Sequence, residues 1–522
     1  MILRQINPDK YILLFIAAII GGILQSLHGN LQHWGILSSY HRYFGMTGTF
    51  PNPGPFAGYL GSIFPIALGL YLLKKINKST NEIKLDHLFQ RVFNSKSING
   101  IAGISIIAVL TVLPITLSRA SWIAVCLSSL LIIINHYSVI SKLKSLYRAK
   151  QIIILFISLI FVTLGVCGLL RFKTNSANGR ILIWKVTTNI IKQHPITGVG
   201  FDKYKSYYME AQADYFEKHL DSSEKFVADN NIYCFNDFLL QIAENGFIGF
   251  FLVLVILFLV FRVKNNKYRT LILIVKAGLV SIIVFSFFSY PSQILDIKIL
   301  FISYIAFISS SSKQKIITFE NRKKLCLMAL ILSIMLFAVI TIAGLRNFII
   351  YNKALKHWNY AYNLYETEQY PESLIHFQQA YKSFQSNSDF LMNYGKALYM
   401  AGKHNFSIEI LQRALKFYPN IFIYQTLGDN YKKLNQSVKA EKSYLRAWYM
   451  IPNRFYPKYL LAILYDETEQ SEKAVKIANE LLSKEIKINS TAIEEIKQEM
   501  TKIIDKYSNN KKRNENILFK TD

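Results

Sequence analysis

Cysteine is scarce in this chain: four among 522 residues, at Cys126, Cys167, Cys234 and Cys326. None forms a CxxC pair and three lie inside apolar runs, which argues against both a disulfide framework and a cysteine zinc site. Acidic residues are few as well, 33 Asp and Glu against 60 Lys and Arg, a net charge of +27. Charged residues of both signs make up only 18%, where a soluble domain carries about 25%. There is no glycine-rich phosphate loop ending in Lys-Ser or Lys-Thr, and residues 171–236 hold no DxD pair. What the chain has in quantity is apolar surface: 52% of residues are hydrophobic and the mean hydropathy is +0.23. That leaves room for one polytopic membrane domain and one soluble domain.

Nine apolar stretches approach the length a bilayer-spanning helix needs, near 11–27, 57–73, 100–117, 120–135, 151–170, 237–261, 270–288, 294–312 and 326–345. The cations sort the loops between them. Arg4 and Lys10, the run from Lys74 to Lys96, the group Lys142, Lys144, Arg148 and Lys150, the group Arg262 to Arg269, and the group Lys313 to Lys324 fall in alternate loops. Such alternation is the positive-inside pattern. It puts the N-terminus inside, and segments 28–56, 171–236, 289–293 and everything after 345 outside. The charge excess is then mostly topology, and a nucleic-acid partner loses its main support. The first stretch reads as an uncleaved helix, because no A-x-A-like site follows it.

After residue 345 a repeat of 33–34 residues takes over, with units beginning near 354, 388, 421 and 455. The third unit carries Tyr424, Leu427, Gly428, Tyr431, Ala440, Tyr444, Ala447 and Pro452; the second carries Leu391, Tyr394, Gly395, Leu398, Leu411, Ala414 and Pro419. Small residues where paired helices touch, and a proline closing each unit, resemble tetratricopeptide repeats. The expected fold is therefore all-α: a membrane helix bundle of about nine spans followed by a soluble α-solenoid. The expected domains are 1–345 with a large outer loop at 171–236, a periplasmic repeat domain at 346–506, and a polar basic tail at 507–522.

Polar chemistry concentrates on the expected outer side. GMTGTFPNPGPFAGYL (45–60) suggests a rigid, tight re-entry into the bilayer. LSRASW (117–122) puts Arg119 between two apolar helices, where it either snorkels or binds an anion. NGRILIW (178–184) precedes HPITGVGF (194–201). Asn178 is positioned to cap a helix that Pro195 stops. Arg180 in its first turn opposes the helix dipole, which favours an anionic partner. Tyr204, Tyr207, Tyr208, Ala211 and Tyr215 recur at helical spacing, a stripe suited either to packing or to stacking on sugar rings. FNDFLLQIAENGFIGF (235–250) brings Asn236, Asp237, Gln241 and Glu244 to the membrane surface, as functional groups or as a self-capping helix entry.

These motifs, in this order over residues 45–310, resemble the O-antigen ligase and polymerase family of membrane glycosyltransferases. The resemblance implies a glycan donor linked through pyrophosphate to undecaprenyl lipid, used at the outer face of the bacterial cytoplasmic membrane. It implies a lipid, protein or glycan acceptor, and neither nucleotide, metal nor other cofactor. The family's two motif arginines match Arg119 and Arg180, which would contact the diphosphate as catalytic and substrate-binding groups. Many members have histidine where this chain has Phe235, so that role does not carry over, and Asp237 becomes the nearest candidate base. His194 is a further candidate. Asn236, Gln241, Tyr204 and Tyr208 are the remaining substrate-binding candidates. The repeats offer a surface for a protein partner, which tilts the reading toward ligation over polymerisation. A membrane-tethered repeat scaffold without catalysis is the alternative from another class. A transporter ranks third, because ionisable residues at mid-span are few; Lys276 is expected to snorkel inward.

Overall fold

The computed structural model describes residues 8–72, 95–139, 142, 145, 147, 174–312, 323–486 and 490–518. Among these residues the fold is all-helical, with no strand beyond one isolated bridge between His41 and Phe44. Two compact units form. Unit one comprises Met1–Trp184, His194–Gly198 and Tyr233–Ile316; unit two comprises Lys185–Gln193, Val199–Ile232 and Ile317–Asp522.

Unit one is a bundle of α1 (Tyr11–His33), α2 (Pro53–Leu72), α3 (Ser95–Val112), α4 (Arg119–His136), α7 (Asp237–Arg262), α8 (Arg269–Ser286) and α9 (Leu295–Ser310), with the start of α5 (Thr174–Gln193). Helix α2 is its centre, packed by α1, α3, α4, α8 and α9. Small residues make this possible. A side chain at Gly58 would meet the Phe285 ring at 2.3 Å, and one at Gly69 would meet Ile274 at 2.5 Å. Close backbone approach is how apolar helices associate where lipid removes the hydrophobic drive. Polar groups at this seam are satisfied: Ser281 donates to the Gly61 carbonyl at 2.6 Å and Tyr304 to the Ser62 carbonyl at 3.0 Å.

Eight of the nine expected spans coincide with helices, and the stretch 151–170 lies outside the described residues. Among the described residues six helices are long and apolar enough to cross a membrane: Tyr11–His33, Pro53–Leu72, Arg119–His136, Asp237–Arg262, Arg269–Ser286 and Ile331–Glu366. Helix α3 is a shorter apolar helix, and α9 runs only from Leu295 to Ser310, so the length criterion gives fewer spans than hydropathy alone. Lys276 of α8 caps the end of α7, donating to the carbonyls of Phe261 and Val263 at 2.7 Å each.

The re-entry before α2 is tight for a specific reason. The Gln32 side chain, 4% exposed, accepts from the Thr47 and Gly48 amides at 2.9 and 2.8 Å and donates to the Gly48 carbonyl at 3.0 Å.

Unit two holds the repeats. Helix α10 (Lys323–Glu366) leads into α11 (Tyr370–Phe384), α12 (Ser388–Met400), α13 (His404–Leu415), α14 (Ile421–Lys433), α15 (Ser437–Met450), α16 (Tyr456–Glu467), α17 (Ser471–Leu482) and α18 (Thr491–Leu518). Each pair touches where the sequence has a small residue: an added Cβ at Gly395 would meet Leu411 at 2.6 Å, and at Gly428 the Tyr444 ring at 2.2 Å. Tyr444 in turn donates to Asp429 at 2.6 Å. Gly428→Ala is expected to displace that ring and destabilise the repeats by about 1–3 kcal/mol, read as a lower unfolding midpoint of the full chain in detergent.

Also in unit two are α6 (Tyr204–Lys218) and the second half of α5. Helix α6 packs on α15. Segment 199–232, part of the expected outer loop 171–236, belongs to the same compact unit as the repeats.

Candidate functional site

The two motif arginines both lie in unit one. Arg119 is the first residue of α4, after a turn that reverses at Leu117 (φ 52°). Trp122 pins that turn, its indole N–H donating to the Leu113 carbonyl at 2.9 Å. Arg119 thus sits where unpaired helix N–H groups gather, a location that repels a cation and attracts an anion.

Helix α5 starts at Thr174, one turn earlier than the Asn178 cap anticipated, so Arg180 lies in its second turn. Its guanidinium rests over the Phe235 ring, 5.4 Å from the centroid. Tyr290 meets Phe235 edge-on at 5.2 Å and stacks on Tyr233 at 4.0 Å. Burial lowers the pKa of Arg180, and the charge of Arg119 lowers it further, while Tyr290 works the other way. Each arginine therefore stands in the field of the other, and among the described residues no carboxylate forms an ion pair with Arg180. Burial holds the Tyr290 hydroxyl above its ordinary value, so it remains a neutral donor. Phe235 is itself strained, at φ 52°. At the position where the resemblance implied histidine, this chain supplies a ring face for the neighbouring cation. Phe235→Ala is expected to loosen Arg180 and cut transfer by about 3- to 30-fold, the rate equivalent of a partly desolvated cation–π contact; a transfer assay checks it.

Asp237 is 8% exposed at the start of α7. Its Oδ2 accepts from the Ser292 amide at 2.8 Å and from Ser286 Oγ at 3.5 Å; its Oδ1 accepts from Ser292 Oγ at 2.7 Å. It anchors the turn after Tyr290. Asn236 is a helix cap, its Oδ1 accepting from the Phe238 and Leu239 amides at 3.0 and 3.1 Å. Gln241 accepts from Asn245 at 2.9 Å.

The next residue, Gly246, breaks α7 with φ 65° and ψ −174°. Into the break comes the HPITG turn. The Phe247 amide donates to the Pro195 carbonyl at 2.9 Å, and a Cβ on Gly246 would stand 1.9 Å from the Ile196 oxygen. Gly198 (φ 68°) returns the fit, since its Cβ would lie 2.4 Å from the Glu244 carbonyl. The two motifs are thus one interlocked piece.

Tyr204 and Tyr208 are elsewhere, in unit two, and they correct the sugar-stacking expectation. They are 1% and 0% exposed. The Tyr204 hydroxyl bonds Thr187 Oγ1 at 2.9 Å and the Tyr208 hydroxyl donates to Gln212 at 2.8 Å. Tyr204 and Tyr208 are packing residues, while Tyr207 of the same stripe is exposed; spacing fixes a helix face without saying what covers it. Sequence reasoning missed Tyr233, Tyr290, Ser292 and the Gly246 break. Only the last had a local signal, an Asn-Gly pair inside an apolar run.

Residues 104–254 match the family model described as O-antigen ligase. That O-antigen ligase segment contains Arg119, Arg180 and Asp237, and with the apolar helices it supports a membrane protein with a role in glycan transfer. Residues 355–420 match the model described as YpiA-like, C-terminal tetratricopeptide repeats. None of the curated proteins matches the chain. Several solved structures resemble part of it, two of them as follows. One is described as "MamA RS-1 ArsTM double mutant", 22% identical over 24% of this chain and 72% of that chain, with a TM-score of 0.23. The other, "Crystal structure of MamA protein", is 15% identical over 29% of this chain and 88% of that chain, with a TM-score of 0.24.

Proposed function

We propose that the protein transfers a glycan from an undecaprenyl-diphosphate carrier to an acceptor at the outer face of the cytoplasmic membrane. The carrying observation is the pair Arg119 and Arg180: the charge of Arg119 adds to burial in lowering the pKa of Arg180, and no carboxylate is ion-paired to Arg180 among the described residues. An anion between them would relieve that repulsion. In the reaction the acceptor hydroxyl oxygen bonds the anomeric carbon and passes its proton to a base, for which Asp237 is the nearest candidate. The bond from that carbon to the diphosphate oxygen breaks, and undecaprenyl diphosphate leaves with the electron pair. Negative charge grows on the departing oxygen, and fixed planar guanidinium groups stabilise it by paired hydrogen bonds. Asp237 also holds the 290–293 turn, its oxygens accepting bonds from Ser292 and Ser286.

The test is deletion of the gene followed by analysis of surface glycans and of the carrier-linked pool. A ligase leaves full-length chains on the carrier, and a polymerase leaves single repeat units. An unchanged pool with unchanged surface glycan would overturn both and leave the scaffold.

A further inference from the structure

We propose that Arg446, on the third repeat, is a positioning residue for glycan transfer: it grips helix α6 and so steadies helix α5, which carries Arg180. The proposal rests on the transferase reading above. The grip lies wholly within unit two. Arg446 Nε donates to Glu210 Oε2 at 2.7 Å, Nη1 to Asp214 Oδ1 at 2.7 Å, and Nη2 to the Glu210 carbonyl at 3.0 Å. The Tyr424 hydroxyl donates to the other Glu210 oxygen at 2.6 Å. Around this centre, Gln212 donates to the Met450 carbonyl at 2.6 Å, Ser206 to the Phe417 carbonyl at 2.8 Å, and Arg454 pairs with Asp229 at 3.2 Å. Burial alone would lower the pKa of Arg446; the Glu210 charge and the bonds to Asp214 and Glu210 outweigh it and raise the pKa.

The bonds continue from α6 to α5. Tyr204 meets Thr187, and Glu224 takes both Lys185 and Tyr215. Thr187 follows Arg180 by two turns of one unbroken helix, about 10 Å along its axis. A guanidinium paired with two carboxylates contributes less to stability than to register, because its own desolvation offsets much of the Coulombic gain. A device of that kind suits holding one helix in place.

The experiment uses the full chain in detergent, with hydrogen exchange over residues 204–218 and a transfer assay from lipid-linked donor. Arg446→Ala is expected to speed exchange in 204–218 at least tenfold. It should lower kcat by about 10- to 100-fold, the scale of a small misplacement of a reacting group, with the donor KM nearly unchanged. Arg446→Lys should recover part of both. The neutral pair Glu210→Gln with Asp214→Asn should reproduce the loss, and adding Arg446→Ala to it should cost nothing more. Lys432→Ala, which breaks an exposed pair with Glu467 within the repeats, should leave transfer intact. If Arg446→Ala fails to fold, Arg446→Lys and the neutral pair carry the test. Full transfer with a loosened α6, multiplying losses, or a change in KM alone would overturn the proposal. An unmodified chain that transfers no glycan would overturn the function and the positioning role together, while exchange still decides whether the grip exists.

Discussion

Arg180→Ala is expected to lower glycan transfer by about 10²–10³-fold, the usual cost of losing one preorganised donor to a departing oxyanion. The protein should still insert and fold, because Arg180 joins no ion pair among the described residues and its ring partner Phe235 also packs on Tyr290. Arg119→Ala should do the same. Arg180→Lys should fall between, keeping the charge and losing the planar fork. Initial rates with lipid-linked donor, beside a membrane-insertion control, decide the matter. Full transfer by either alanine variant would reject the assignment.

The second large effect is steric. Gly246→Ala places a methyl 1.9 Å from the Ile196 oxygen, in a backbone conformation with φ 65° and ψ −174° that side chains scarcely adopt. Either α7 closes its break or the HPITG turn is expelled. Both outcomes are expected to cost at least ~3 kcal/mol and to abolish transfer, because Asn236 and Asp237 start the same helix. Gly344→Ala is the control: nothing lies within 4 Å of its added Cβ, so helix propensity alone makes it neutral to slightly stabilising. Thermal unfolding in detergent, with transfer measured in parallel, separates the two. A Gly246→Ala protein with wild-type stability would show that the break is dispensable.

How much of this was legible beforehand follows from which interactions are local. Repeat helices begin at Ser388, Ile421 and Tyr456, beside the expected starts at 388, 421 and 455, because small-residue spacing within one unit sets its own packing. The arginines were legible because short motifs surround them. Phe235 and Tyr290 were not, since their meeting depends on the chain returning after 55 residues. The tyrosine stripe had the right period and the wrong neighbour, as periodicity identifies a face and leaves its cover open. Packing of α6 on α15 had no sequence signal, because complementary charges at Glu210, Asp214 and Arg446 are over two hundred residues apart.

Helix α10 spans Lys323–Glu366 without interruption, and its residues 331–350 are exposed up to the first repeat. Forty-four residues at 1.5 Å each make a mast of about 66 Å. Every residue inserted between 346 and 353 would move residues 354–366 about 1.5 Å along the axis from residues 331–345 of the same helix and turn them about 100°. A four-residue insertion, nearly a full rotation, would restore the azimuth between these two halves of the helix, while a two-residue insertion would set them on opposite sides.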